Sequence, residues 1–209
     1  MRSCGVRIRL LSVFCLVGCG GHAGPPAEPT SRAQPWAVPA GFRSETIPFP
    51  LEFAPDLVHR GLEELRFAPG FMDPGAPGYW SYTFAWRLED AAALDAAGVG
   101  AELTAYFRGL IDAVDEHHDI APRDAIVARA VPEVVGQDAG RFQLAVHVFD
   151  AFKTKQPIDL TGWADRIPCN GGAVWRFVLA PASSGVRPAL DALAVQVACE
   201  QPALPPPAK

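Results

Sequence analysis

Strict alternation of large apolar and smaller or polar side chains is the feature that most restricts this chain. Across residues 79–89, Trp80, Tyr82, Phe84, Trp86 and Leu88 fall on one side and Tyr79, Ser81, Thr83, Ala85 and Arg87 on the other. Successive side chains of a strand point to opposite faces, so this pattern predicts a strand with one strongly apolar face. Residues 141–152 repeat it, with Phe142, Leu144, Val146 and Val148 opposite Gln143, Ala145, His147 and Phe149. So do residues 173–180, with Trp175, Phe177 and Leu179 opposite Val174, Arg176 and Val178. Weaker strands are expected over 62–68, 125–135 and 192–199. Pro48 and Pro50 restrict 47–53 to an edge strand or an extended arm.

One helical pattern interrupts the strands. Between residues 91 and 117, Val99, Leu103, Tyr106, Phe107, Leu110 and Val114 recur at three- and four-residue spacing, while Glu102, Arg108, Asp112 and Glu116 take the other face. Gly98 and Gly100 weaken its first half, and a second short helix around 188–193 has little support. Short links between strands favour antiparallel pairing. The expected fold is α+β: a single antiparallel sheet of about five to seven strands packed against one long helix.

Residues 43–202 are the expected globular domain. Residues 20–41 are dominated by Gly, Pro and Ala, a composition that buries too little apolar surface to offset ordering entropy and predicts a flexible stalk. Residues 203–209 are a Pro-rich tail. Ahead of the stalk, Arg2, Arg7 and Arg9 precede a short apolar run ending in Leu16-Val17-Gly18-Cys19. Residues 10–17 are far short of the roughly 20 apolar residues that a membrane-spanning helix needs. This start resembles the signal peptide and lipobox of bacterial lipoproteins. The resemblance implies removal of residues 1–18, a diacylglycerol on the Cys19 sulfur and an acylated amine. Gly20, in place of the family's inner-membrane retention Asp, implies delivery to the outer membrane. The membrane is then a partner through acyl chains on Cys19, and the domain lies in the cell envelope, outside the cytoplasm.

The leader holds three of 18 basic residues and none of the 23 acidic ones, leaving 15 against 23 and a net charge near −8. No basic run follows it, so nucleic acid is not an expected partner. Cys4 and Cys15 belong to the leader and Cys19 to the lipid, which leaves Cys169 and Cys199 as an even pair. In an oxidising compartment the simplest outcome is a disulfide. The alternative is a pair of free or metal-binding thiols, without the paired spacing of a zinc site.

Several residues are candidates for chemistry. His117 and His118, beside Asp115, Glu116 and Asp119, are the densest group of possible metal ligands. Adjacent helical residues diverge by about 100°, and a helix C-terminus favours histidine through its dipole. No metal or other cofactor is therefore expected. Arg66, Arg87, Arg129, His147 and Arg176 occupy the less aromatic sides of their strands. In suitable register they would line a face that the helix leaves open and bind a carboxylate or phosphate. The bland reading is a wet face paired with Glu63, Glu64 or Glu133. The stripe of Trp80, Tyr82, Phe84 and Trp86 reads as core before it reads as a ligand platform. Phe71 and Met72, in a Pro/Gly-rich loop, either tuck under the sheet or form an interaction patch.

The sequence contains no GxSxG elbow, no P-loop and no recognisable triad spacing. The leading expectation is a membrane-tethered envelope lipoprotein, leaning non-enzymatic, whose compact domain binds an envelope component or a small ligand. The alternative is a periplasmic hydrolase-like enzyme using the polar sheet face around His147.

Overall fold

The computed structural model describes residues 36–90, 93–115, 123–132 and 140–199. Among them are seven strands: β1 (Arg43–Phe49), β2 (Gly61–Phe67), β3 (Tyr82–Leu88), β4 (Val127–Pro132), β5 (Arg141–Phe149), β6 (Pro157–Cys169) and β7 (Gly172–Ala180). They form one antiparallel sheet in the order β1-β2-β3-β7-β6-β5-β4. After β3 the chain crosses one face as helix α1 (Ala96–Val114) to the far edge. It then returns strand by strand until β7 lies beside β3. A second helix, α2 (Arg187–Ala194), follows.

The register places Phe49, Leu65, Phe84, Trp86, Trp175, Phe177, Leu144 and Val146 on the face crossed by α1. Asp95 starts that helix by accepting a bond from the Gly98 backbone N–H at 2.8 Å, which satisfies one of the donors a helix start leaves unpaired. Val99, Leu103, Tyr106, Phe107 and Ile111 face the sheet. Six inter-strand gaps of 4.7–4.9 Å span roughly 29 Å, whereas a helix with side chains is about 10–12 Å across. One helix cannot cover such a face. Helix α1 packs mainly on the β4 side, and the loop after β1 covers the other end with Leu51, Ala54 and Leu57.

The second face corrects the expectation of a single helix. Leu190, Leu193 and Ala194 of α2 bury Ala85, Val174, Val178 and Ala180, with Trp36 and Trp163 packed alongside. Central strands are thus covered on both sides, and residues 80–88 are buried without a break. The expected strand over 192–199 is instead the end of α2 followed by turns. The helix carries Pro188 in its first turn and buries Leu190, Leu193 and Ala194, while Val195, one of the alternating apolar residues, is exposed.

Strand β6, the longest, was not expected from the sequence. Its inward positions include Gly162, Ala164 and Arg166, and its outward ones Trp163 and Ile167, so no contrast of polarity marks either face. Gly162 is required where it stands, since a Cβ there would lie 1.7 Å from the Val178 carbonyl oxygen. The expected arm over 47–53 is displaced to β1, which ends at Phe49. Pro48 and Pro132 both sit in edge strands, where a missing N–H disrupts least. Among the described residues no helix is long and apolar enough to cross a membrane.

The sulfurs of Cys169 and Cys199 are within bonding distance, with Cα atoms 5.4 Å apart, a disulfide-capable pair. The link would hold the segment after α2 against the β6–β7 turn across a sequence separation of 30. Chain-entropy reasoning gives such a closure roughly 3.5 kcal/mol. Replacing both cysteines by serine should lower the urea-unfolding free energy by about 2–3.5 kcal/mol. Reduction of the native protein should cost the same, and not affect the serine double variant.

Candidate functional site

The uneven cover of the α1 face leaves an apolar groove between that helix, the start of β1 and the loop before β3. Its volume is about 300 Å³, and its walls include Phe53, Phe67, Phe71, Met72, Trp80, Tyr82, Tyr106, Leu110 and Phe152. Phe71 packs on Phe67 at 4.7 Å and on Trp80 at 6.0 Å between ring centroids. Phe152 meets Trp80 from the other side at 5.9 Å. Phe53 stands edge-on to Tyr106 at 5.1 Å.

Each wall is fixed by a polar or backbone device behind it. Phe53 is seated by Gly109 of α1, where a Cβ would lie 2.0 Å from the Phe53 carbonyl oxygen. Phe152 belongs to the β5–β6 loop, which folds around buried Asp150. That carboxylate accepts bonds from the backbone of Phe152, Lys153 and Thr154 and from the Tyr79 and Thr154 hydroxyls. Burial opposes its ionisation, yet these donors, Thr154 and Tyr79 foremost, hold it down at about 2. Trp80 adopts φ +48°, a left-handed conformation costing on the order of 1–2 kcal/mol in a residue with a Cβ. Its N–H bonds the Phe71 carbonyl at 3.2 Å, and its ring is packed between Phe71 and Phe152. Strain of this kind persists only where the surroundings over-determine it.

Behind the Tyr106 wall lies Glu63, with no solvent exposure. Trp86 Nε1 donates to its Oε1 at 3.0 Å, and the Tyr106 hydroxyl also faces the carboxyl. Glu63 Oε2 has no partner at hydrogen-bonding geometry. Burial pushes this carboxyl up to about 8, so it is chiefly a neutral acid at pH 7. Burial, with the nearby Glu63 charge adding to it, likewise raises the Tyr106 phenol well above its usual value. The groove mouth carries Arg43 and Glu45, both exposed.

A second titratable cluster, unforeseen from the sequence, sits near the other end of α1. Buried His59 is clamped between Asp90 Oδ2, 2.9 Å from Nδ1, and Glu102 Oε2, 2.8 Å from Nε2. The bond to Glu102 outweighs desolvation and, with Asp90, raises the imidazole to about 9. With both ring nitrogens engaged, His59 acts as a charged staple between the β1–β2 loop, the end of β3 and α1, and has no nitrogen left for a substrate.

The expected polar row does share the face opposite α1. Helix α2 and the Trp36 segment cover much of that face, however, which corrects the expectation that it stands open. Arg66 lies 4.3 Å over the Trp36 ring and donates to the carbonyls of Ala37, Leu65 and Trp36. Arg87 bonds Glu64 at 2.5 Å and the Ala198 carbonyl at 2.6 Å. Arg176 grips Asp165 through Nε at 2.7 Å and Nη2 at 2.6 Å. Arg66 and Arg87 share the Glu64 carboxylate, at 3.9 Å and 2.5 Å, and Arg129 and His147 come together at a shallow depression shared with Asp159 and Thr161. There His147 Nδ1 meets Asp159 at 2.6 Å in an exposed setting. Water screens such a pair strongly. Phe71 and Met72 are half-buried in the groove wall. Cys19, His117 and His118 lie outside the described residues. Among the described residues no cluster of three or more His, Cys, Asp or Glu is placed to hold a metal.

No protein-family model, curated protein or solved structure matches this chain. The groove combines apolar, largely aromatic walls, one buried acid behind them with its pKa raised to about 8, and one charge of each sign at the mouth.

The two unusual acids and bases set a pH dependence. The folded state holds the Glu63 proton more tightly than the unfolded chain, so its contribution falls as pH rises from about 4.5 to about 8. The His59 clamp contributes fully below about 6.5 and is lost as pH rises through about 9. Unfolding free energy should therefore decline steadily between pH 6.5 and 9. Glu63→Gln should raise stability at pH 8 by on the order of 1–3 kcal/mol and remove the Glu63 share of the slope. His59→Gln should lower it at pH 6.

Proposed function

We propose that this chain is a lipid-anchored envelope protein of the outer membrane whose domain binds a small apolar ligand in the groove beside α1. The observation that carries the ligand reading is a concave space of about 300 Å³ walled almost entirely by aromatic and aliphatic side chains. That volume lies at the lower end of the roughly 300–1,000 Å³ typical of small-ligand sites. Apolar walls, a strained Trp80 held in place and a nearby acid with a shifted pKa are features that accompany binding sites. Arg66, Arg87 and Arg176 have partners within the fold, which weakens the alternative of an anion site or hydrolase centred on the polar row. The anchor rests on the resemblance of Leu16-Val17-Gly18-Cys19 to a lipobox. Two or three acyl chains at Cys19, each giving about 0.8 kcal/mol per buried methylene, would make the attachment durable.

The two parts are tested separately. In the producing cell, Cys19→Ser should move the protein from the membrane fraction to the soluble fraction, and persistence at the membrane would refute lipid anchoring. For the groove, N-phenyl-1-naphthylamine should fluoresce on addition of the purified domain. Leu110→Trp, which fills the space, and Met72→Arg, which places a charge in its wall, should each weaken that binding at least ten-fold with cooperative unfolding retained. Absence of any enhancement with the unaltered protein would end the ligand reading.

A further inference from the structure

The mouth of the groove is less uniform than its walls. Arg43 and Glu45 are two residues apart on β1 and both line the opening, so their backbone positions are about 6.7 Å apart along the strand. Both are exposed, and neither has an ion-pair partner among the described residues. The Arg43 guanidinium is not loose: it lies 5.6 Å from the centroid of the Phe67 ring, itself a groove wall. Next along the same face comes Ile47, paired with Glu63 of β2, while Glu45 is paired with Leu65. Arg43 lies beside Phe67 and Tyr82, at the end of the trough formed by Phe71, Trp80 and Phe152, and Glu45 lies one same-face position farther from it, so trough, positive group and negative group follow one another.

This order selects among ligands by charge. A simple anion with an apolar tail would gain Arg43 and suffer repulsion from Glu45, and a simple cation would meet the converse. A headgroup bearing both charges a few ångströms apart satisfies the two side chains together. The space behind them houses one short chain and not two. We infer that the groove takes a single-chain zwitterionic amphiphile of the one-chain phospholipid type, its phosphate at Arg43, its ammonium at Glu45 and its tail against Phe53, Phe71, Trp80 and Phe152. The inference rests on the ligand reading above and specifies the class of molecule for that same site.

Three probes of equal chain length test it: decylphosphocholine, decanoate and decylamine, each below its micelle concentration, competing with N-phenyl-1-naphthylamine for the full chain. Decylphosphocholine should bind at least five-fold more tightly than either singly charged probe. Arg43→Gln should weaken decylphosphocholine about five-fold and leave decylamine unchanged or tighter. Glu45→Gln should weaken decylphosphocholine similarly and tighten decanoate. Because both residues are exposed and the two variants shift opposite probes, damage to the fold cannot mimic this crossed pattern. Equal binding of all three probes, or preference for decanoate or decylamine, would overturn the zwitterion assignment while leaving an apolar groove intact. Failure of the naphthylamine itself to bind would overturn the groove reading on which the assignment rests.

Discussion

Strands β3 and β7 are buried on both faces, and the fold is arranged around meeting that demand. Phe84 and Phe177 stack at 4.4 Å between centroids, and Trp86 leans on Phe177 at 4.7 Å. Those rings require an apolar cover on one face, while Ala85, Val174 and Val178 require another on the opposite face. Apolar burial contributes roughly 25 cal/mol per Å², so exposing either face of the central pair would forfeit much of the core. Helix α1 and the loop after β1 close one side, and α2 with the Trp36 segment closes the other. The groove is the place where the first of these covers falls short of the sheet's width.

Polar groups caught inside this double cover follow one rule: each is bonded, or it is neutral. Arg87 and Glu64 neutralise one another, and Arg66 spends its donors on three carbonyls. Isolated charges are costly to bury, and paired ones recover only part of that cost. Among the described residues no cation pairs with Glu63, and burial raises its carboxyl to about 8, so that it retains its proton at neutral pH. Its carboxyl lies behind Tyr106, a residue of the groove wall.

Much of the sheet was legible in advance because Trp80–Leu88 type alternation survives wherever one face is richer in large side chains than the other. β6 was illegible because its inward face carries Gly162, Ala164 and Arg166 and so lacks that contrast. The segment after α2 misled for a related reason: over few residues, alternating apolar positions fit a short helix as well as a strand. Of the site, Phe71 and Met72 were singled out, but Phe53, Tyr106 and Phe152 come from three distant segments that only the topology unites. Glu63 did leave a trace. Adjacent glutamates at 63 and 64 in an apolar strand must face opposite ways, so one carboxyl enters the core whichever side is buried. His59 left none, since its partners Asp90 and Glu102 are 31 and 43 residues away.

The open edges of the sheet bear on how many copies can share a small space. An unpaired strand offers a ladder of hydrogen-bonding groups to any neighbour of the same kind, and such contacts propagate into aggregates. Here β1 presents Pro48 and the charges Arg43 and Glu45, while β4 is only six residues long and ends at Pro132. Each edge therefore includes a residue with no backbone donor, and β1 adds exposed charges, both of which discourage strand addition. At high local concentration these features disfavour stacking of the described sheet edges on one another.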